Sequence, residues 1–148
     1  MSLKHRRRII KILPFNGEGF ATWKFQVTAY LRSEGLVEAV HAPDFNHWRT
    51  ALKTRAENGM VSEDLAQLLH DEQDDQEIAT TKLQTEYAKQ ASEAYTFLVL
   101  QMGEKAIKHV VAIPEGKAHA VWRALHSHFE RDTMANKLQI RINMITTN

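Results

Sequence analysis

Proline occurs at only three positions, 14, 43 and 114, and between these stops apolar residues return every three or four positions. Proline removes a backbone donor and clashes with the turn before it, so a chain punctuated this way reads as helices separated at prolines and glycines. Phe20, Trp23, Val27, Tyr30 and Leu31 make one broad helical stripe. The spacing predicts a first helix starting near residues 19–22 and ending before Gly35, a residue suited to the position after a helix C-terminus. Leu36, Val37 and Val40 give a short helical turn that Pro43 stops. Residues 44–59 form a modest helix with Phe45, Trp48, Ala51 and Leu52 on one side, broken at Asn58-Gly59. Ser62 is placed to cap the next helix, with acids in its first turn and Leu65, Leu68 and Leu69 inward.

The polar run "DEQDDQE" at 71–77 is either an exposed helix or a loop. Beyond it, Leu83, Tyr87, Ala91, Ala94, Leu98 and Met102 give the longest periodic stretch, ended by Gly103. "EKAIKHVVAI" reads as a short helix closing at Pro114. Two helices follow: Ala118, Val121, Trp122, Leu125 and Phe129 define one, and Met134, Leu138, Ile142 and Ile145 the other, with a break at Asp132 or Thr133. Only "RRIIKILPF" alternates at period two, and it reads as an extended arm before a turn at Asn16-Gly17. The expectation is an all-α fold of about seven short to medium helices packed around one core, behind a basic extended arm.

A chain of 148 residues suits one domain and buries enough surface to hold a core without staples. The absence of cysteine excludes a disulfide framework, a thiolate zinc site, a zinc knuckle and a cysteine nucleophile within this stretch. No apolar run approaches the roughly 20 residues of a membrane span, and Lys11 interrupts the short apolar run near the start. The chain is expected to be soluble. Its net charge of +1 is unevenly spread. Lys4, Arg6, Arg7, Arg8 and Lys11 stand in residues 1–17 without an acid, whereas residues 57–77 hold eight acids and no Lys or Arg. This asymmetry suits contact between copies or with a polyanion, but a flexible basic tail and one solvated acidic helix face is the reading put first.

Motifs for chemistry are sparse. "GEG" at 17–19 lacks the strand–helix setting and the Lys-Ser/Thr of a phosphate loop. The acids at 71–77 lack the glycine and terminal glutamate of a calcium loop. His126 and His128, two apart on a helix, point away from each other. An enzyme is not expected, nor a cofactor, a metal or a small-molecule substrate. The five cations of the arm are candidates for salt-sensitive phosphate contacts. Trp23, Trp48 and Trp122 lie on apolar helical faces, where packing accounts for them.

Two segments together resemble a family. "LPFNGEGFATWKFQVTAYLRSEGLVEAV" resembles the opening of the capsid region of Ty1/copia-type retrotransposon Gag polyproteins, through Phe15, Gly17, Phe20, Trp23, Leu31, Gly35 and Leu36. "KAHAVWRALHSHFERDTMANKLQIRINMI" is similar to a later segment of that family, through Ala118, Trp122, Leu125, Phe129 and Leu138, with Ile142 and Ile145. "YAKQASEAYTFLVLQM" resembles its middle helix, with Tyr87 where tryptophan is common. The signatures stand in the family's order and, with the middle helix, cover about half of the chain.

The resemblance implies a retroviral-capsid-like helical domain at 17–148 behind an arm at 1–16, with 43–82 a candidate lineage-specific insertion. It implies self-association into a cytoplasmic virus-like particle that packages RNA, through the arm or a downstream region, and no membrane partner. The family continues into a second helical domain and often a Cys/His knuckle, so this chain is expected to be the N-terminal capsid domain alone or a domesticated fragment. Two alternatives stay open. One is a monomeric RNA-binding module that works through its arm. The other is a domesticated adaptor with a peptide groove near Phe15 and Trp23. Val61 and Ile78, outside any strong stripe, are candidates for an interface or for satellite packing.

Overall fold

The computed structural model describes residues 12–74 and 77–130. Helix α1, Phe20–Ser33, buries Phe20, Trp23, Val27 and Leu31 on one face. Its end shows why Gly35 and Leu36 follow. Leu36 N–H donates to the Leu31 carbonyl at 2.8 Å and Gly35 N–H to that of Arg32 at 3.2 Å, the paired bonds of a Schellman cap. Gly35 sits at φ 72°, where a side chain is strained, and Leu36 folds into the same core as Leu31.

Helix α2 (Val37–His41) is one short turn, and α3 (Phe45–Glu57) follows Pro43 with the Asp44 carboxylate capping His47 N–H at 2.9 Å. Helix α4 (Glu63–Gln73) starts at Ser62, whose hydroxyl accepts from Leu65 N–H at 3.3 Å. The "DEQDDQE" run is thus helical through Gln73. Helix α5, Glu77–Leu100, has 24 residues and spans about 36 Å. The segment "EKAIKHVVAI" keeps helix only in α6, Glu104–Ile107, and continues as turns. Helix α7, Ala118–Leu125, opens into a π-helical turn at His126–Glu130. The fold is all-α: seven α-helices and no strand among the described residues. No helix among them is long and apolar enough to cross a membrane.

Two clusters of buried residues replace the single expected core. The larger joins α1, α2, the C-terminal part of α5, α6 and α7, with Val27, Leu31, Val40, Leu98, Val121 and Leu125 fully enclosed. The smaller packs α3 and α4 on α5 as far along as Ala91, through Trp48, Leu52, Leu69, Leu83 and Ala91. Helix α5 is longer than one core, so it serves both. Residues 43–73 therefore build a satellite layer, to which Val61 adds a partly buried contact while Ile78 stays exposed.

Ion pairs tie the layers together at their edges. Arg55 reaches both oxygens of Glu38 at 2.7 and 2.8 Å, and Arg49 meets Glu72 at 2.9 Å. Both pairs are partly buried, so the cost of desolvating the charges offsets much of their attraction, whereas each buried Leu, Val or Phe contributes roughly 1.5–3 kcal/mol. The two apolar clusters hold the fold.

Candidate functional site

The segment just before α1, around Phe15, docks where the chain's separated aromatics converge. Phe15 is buried between Phe20, Trp23 and Phe129, with ring centroids 5.4, 5.2 and 4.6 Å away. Its backbone is held on both sides: Phe15 N–H donates to the Gln101 carbonyl at 2.8 Å, and its own carbonyl accepts from Gly103 N–H at 2.7 Å. The Trp23 indole donates to the same Gln101 carbonyl at 3.1 Å. One carbonyl thus anchors the segment and α1 together. A single parallel bridge between Phe15 and Met102 is the only sheet-like pairing among the described residues. Gly17 turns the chain at φ 103°. A Cβ there would meet only ordinary contacts with Phe129 and Lys105, so conformation rather than space demands the glycine.

The residues carrying the two signatures therefore meet. Phe15, Phe20, Trp23, Leu31 and Leu36 share one cluster with Trp122, Leu125 and Phe129, and Trp23 lies 6.5 Å from Trp122. Gly17 and Gly35 are the turns beside it. These rings pack against one another and offer no open stacking platform. Tyr30, expected in the stripe, is half-buried and stacks on Phe97 at 4.4 Å. Leu138 and the cations Lys4, Arg6, Arg7, Arg8 and Lys11 lie outside the described residues.

Alongside the docked segment runs an open groove of about 350 Å³, lined by Leu13, Pro14, Phe15, Glu18, Thr22, Trp23 and Gln26, among others. Leu13 is 82% exposed at its rim. Phe25, one face further round α1, is 75% exposed. A wider cleft of about 690 Å³ carries mixed charge from Arg49, Lys53, Glu72 and Glu77. Glu72 is no solvated acid: one oxygen accepts from Arg49 and Thr80, and the other is buried without a hydrogen-bond partner among the described residues.

The histidines divide as their spacing implied. His126 faces Phe20 and Trp122, its Nδ1 donating to the Trp122 carbonyl at 2.8 Å. His128 points elsewhere and stacks on His109 with centroids 3.6 Å apart. His119 donates to the Val40 carbonyl at 2.8 Å. Burial lowers the His41 pKa, with Glu38 opposing. Among the described residues no group of three His, Asp or Glu is placed to hold a metal.

Four residues escape a reading by periodicity. Gln101 acts through its backbone, which no side-chain pattern reveals. Gly103 reads as a helix stop, yet a Cβ there would lie 3.3 Å from the Phe15 carbonyl oxygen. Gln90 is buried in mid-helix because the Trp48 indole needs its oxygen, at 3.3 Å. Phe25 is apolar on the face opposite the stripe, and that mismatch was its available signal.

The fold and these surfaces define an all-α domain with the segment before α1 docked on it and open grooves on its surface. No family model, curated protein or solved structure matches the chain.

Proposed function

We propose that this chain is the N-terminal capsid domain of a copia-type retrotransposon Gag polyprotein, or of a gene domesticated from one. Copies associate through helical faces into a shell that encloses RNA in the cytoplasm. The observation that supports the reading is the meeting of two sequence signatures in one core. Phe15, Phe20 and Trp23 of the first pack with Trp122, Leu125 and Phe129 of the second. Such packing makes a rigid block whose outer faces are free for neighbours, and modest contacts suffice when closed symmetry repeats them. RNA is bound by Lys4, Arg6, Arg7, Arg8 and Lys11, or by a region downstream of the capsid domain.

Light-scattering mass against protein concentration, at low and high salt with and without short RNA, tests this. Growth beyond a monomer is the expected result. Reversing the charge of Arg6, Arg7 and Arg8 is expected to weaken RNA binding or association. A strict monomer whose RNA affinity vanishes without the first eleven residues would replace this reading with an arm-based RNA module.

The groove along Leu13, Pro14 and Trp23 favours a second reading, an adaptor that holds an apolar peptide there. In that case a monomer would bind such peptides, and Thr22→Arg or Gln26→Arg would abolish binding by filling the groove.

A further inference from the structure

Asparagine followed by glycine occurs twice in the chain, at 16–17 and 58–59, and both asparagines are exposed. This dipeptide can modify itself in water. The backbone nitrogen after the asparagine attacks the side-chain amide carbon, and glycine, with no Cβ, leaves that nitrogen unhindered. Two things slow the attack: a hydrogen bond that occupies the attacking N–H, and a structure that holds the amide away from it.

The two pairs differ in both respects. At 58–59 the pair closes helix α3. Gly59 N–H donates to the Ala56 carbonyl at 3.0 Å and Met60 N–H to that of Arg55 at 3.0 Å, the bonds of a helix cap. The Asn58 amide is turned back along the helix, its Nδ2 donating to the Thr54 carbonyl at 3.3 Å. At 16–17 the pair lies instead in the exposed turn between the docked Phe15 and Gly19, the cap of α1. Among the described residues Gly17 N–H donates to no group, and nothing accepts from the Asn16 amide nitrogen. The Asn16 side chain bends over the following backbone, where its Oδ1 accepts from Glu18 N–H at 3.3 Å. That bond draws charge toward Oδ1 and makes the amide carbon a better target.

We propose that Asn16 is a self-modification site, the pair that the fold leaves reactive, and that its product releases the segment docked at Phe15. The Gly17 nitrogen loses its proton to solvent and bonds to Cγ of Asn16. The Cγ–Nδ2 bond breaks, and ammonia leaves with a proton taken from water. Water then opens the resulting cyclic imide. Breaking the new bond gives aspartate, whereas breaking the original peptide bond gives isoaspartate, whose main chain is one atom longer. That extra atom falls between two fixed points. Phe15 is held by Gln101 and Gly103 at 2.8 and 2.7 Å, and the Gly19 carbonyl accepts from Trp23 N–H at 3.0 Å. The Cβ of Asn16 lies 3.7 Å from where a Cβ on Gly103 would stand. The lengthened turn therefore has little slack on that side and pulls on the Phe15 bonds. Nothing in this chemistry depends on the capsid reading.

The full chain is warmed at neutral pH and mapped by peptide mass, beside the same chain unfolded in urea. In urea both pairs should gain the mass of deamidation at similar rates. In the folded chain residue 16 should gain it roughly tenfold faster than residue 58, whose hydrogen bonds must break before attack. Isoaspartyl methyltransferase, which methylates isoaspartate and not ordinary aspartate, should label the peptide that holds residue 16. The isoaspartate form, separated by its extra negative charge and this label, should exchange the Phe15 amide roughly tenfold faster than fresh protein. Asn16→Gln should keep its mass and its slow exchange through the same incubation, and the comparison of fresh and aged parent needs no variant at all. Equal rates at 16 and 58 in the folded chain would overturn the proposal. So would a residue 16 that stays unmodified while the urea sample reacts, or an isoaspartate form whose Phe15 exchange is as slow as before.

Discussion

Phe15 meets Phe129 edge-to-face at 4.6 Å between ring centroids, joining the segment before the first helix to the π-helical turn after the last described one. Phe15 keeps only 2% of its surface exposed, whereas Phe25, ten residues on, keeps 75%. The same substitution should therefore act differently at the two sites. Phe15→Ala is expected to cost about 3–5 kcal/mol by opening a cavity among three aromatic rings. Phe25→Ala should stay within about 0.5 kcal/mol. Urea denaturation of the two variants checks the contrast, and similar losses would mean that Phe15 is not the anchor of its segment.

Two glycines should resist replacement for different reasons. Gly35 sits at φ 72° with open space where a Cβ would stand. Gly35→Ala then pays only backbone strain, about 1–2 kcal/mol, and Gly35→Asn, more tolerant of that conformation, less. Gly103 has an ordinary φ of −85°, but its added Cβ would press on the Phe15 carbonyl at 3.3 Å. Gly103→Ala should loosen the docked segment, so amide exchange at Phe15 should quicken, and Gly35→Ala should leave it slow. Equal exchange in both variants would remove the distinction.

Helices were readable here because each stripe repeats a local period and each end has a local cap, as with Ser62 for α4 and Gly35 for α1. Packing between distant segments leaves no such trace. The sequence places Trp48 and Leu83 on apolar faces, yet nothing local says that they close a second cluster instead of extending the first. The length of α5 decides that, because a 24-residue rod reaches past one core. The candidate site divides the same way. Phe15, Trp23 and Trp122 announce themselves by size and spacing. Gln101 serves through a carbonyl that every residue owns, so only coordinates reveal it. The π-helical turn at His126–Glu130 likewise departs from the period that predicted a plain helix through Phe129.

The second cluster contains a buried polar contact that should show coupling. Trp48 is fully enclosed, its indole donates to Gln90 Oε1 at 3.3 Å, and the Gln90 amide donates to Glu86 at 3.0 Å. Gln90→Leu strands the indole N–H, at a cost of about 1–3 kcal/mol. Trp48→Phe removes the donor, so adding Gln90→Leu to it should cost clearly less. A double-mutant cycle in denaturant measures the difference. Strict additivity would show that the long 3.3 Å contact contributes nothing beyond packing.

Acid should loosen the corner where α2 meets α7. His41 lies 5.8 Å from the Trp122 ring, and burial there holds its pKa below the ordinary 6.5. Glu38 pulls the value back up, whereas Arg32, His126 and His119 push it further down. A histidine whose folded pKa is depressed takes its proton more readily in the unfolded chain. Above its unfolded value both states are neutral and nothing is lost. As pH falls from 6.5 toward the lower folded value, protonation favours unfolding, and the loss is complete once both states are charged. His41→Gln keeps a polar edge at this site without a titrating group. The variant should therefore lose less melting temperature than the parent between about pH 7.5 and 5, by at most a few degrees because the ring is partly open to solvent. Parallel melting curves for the two proteins across that range would show that His41 does not feel the corner it occupies.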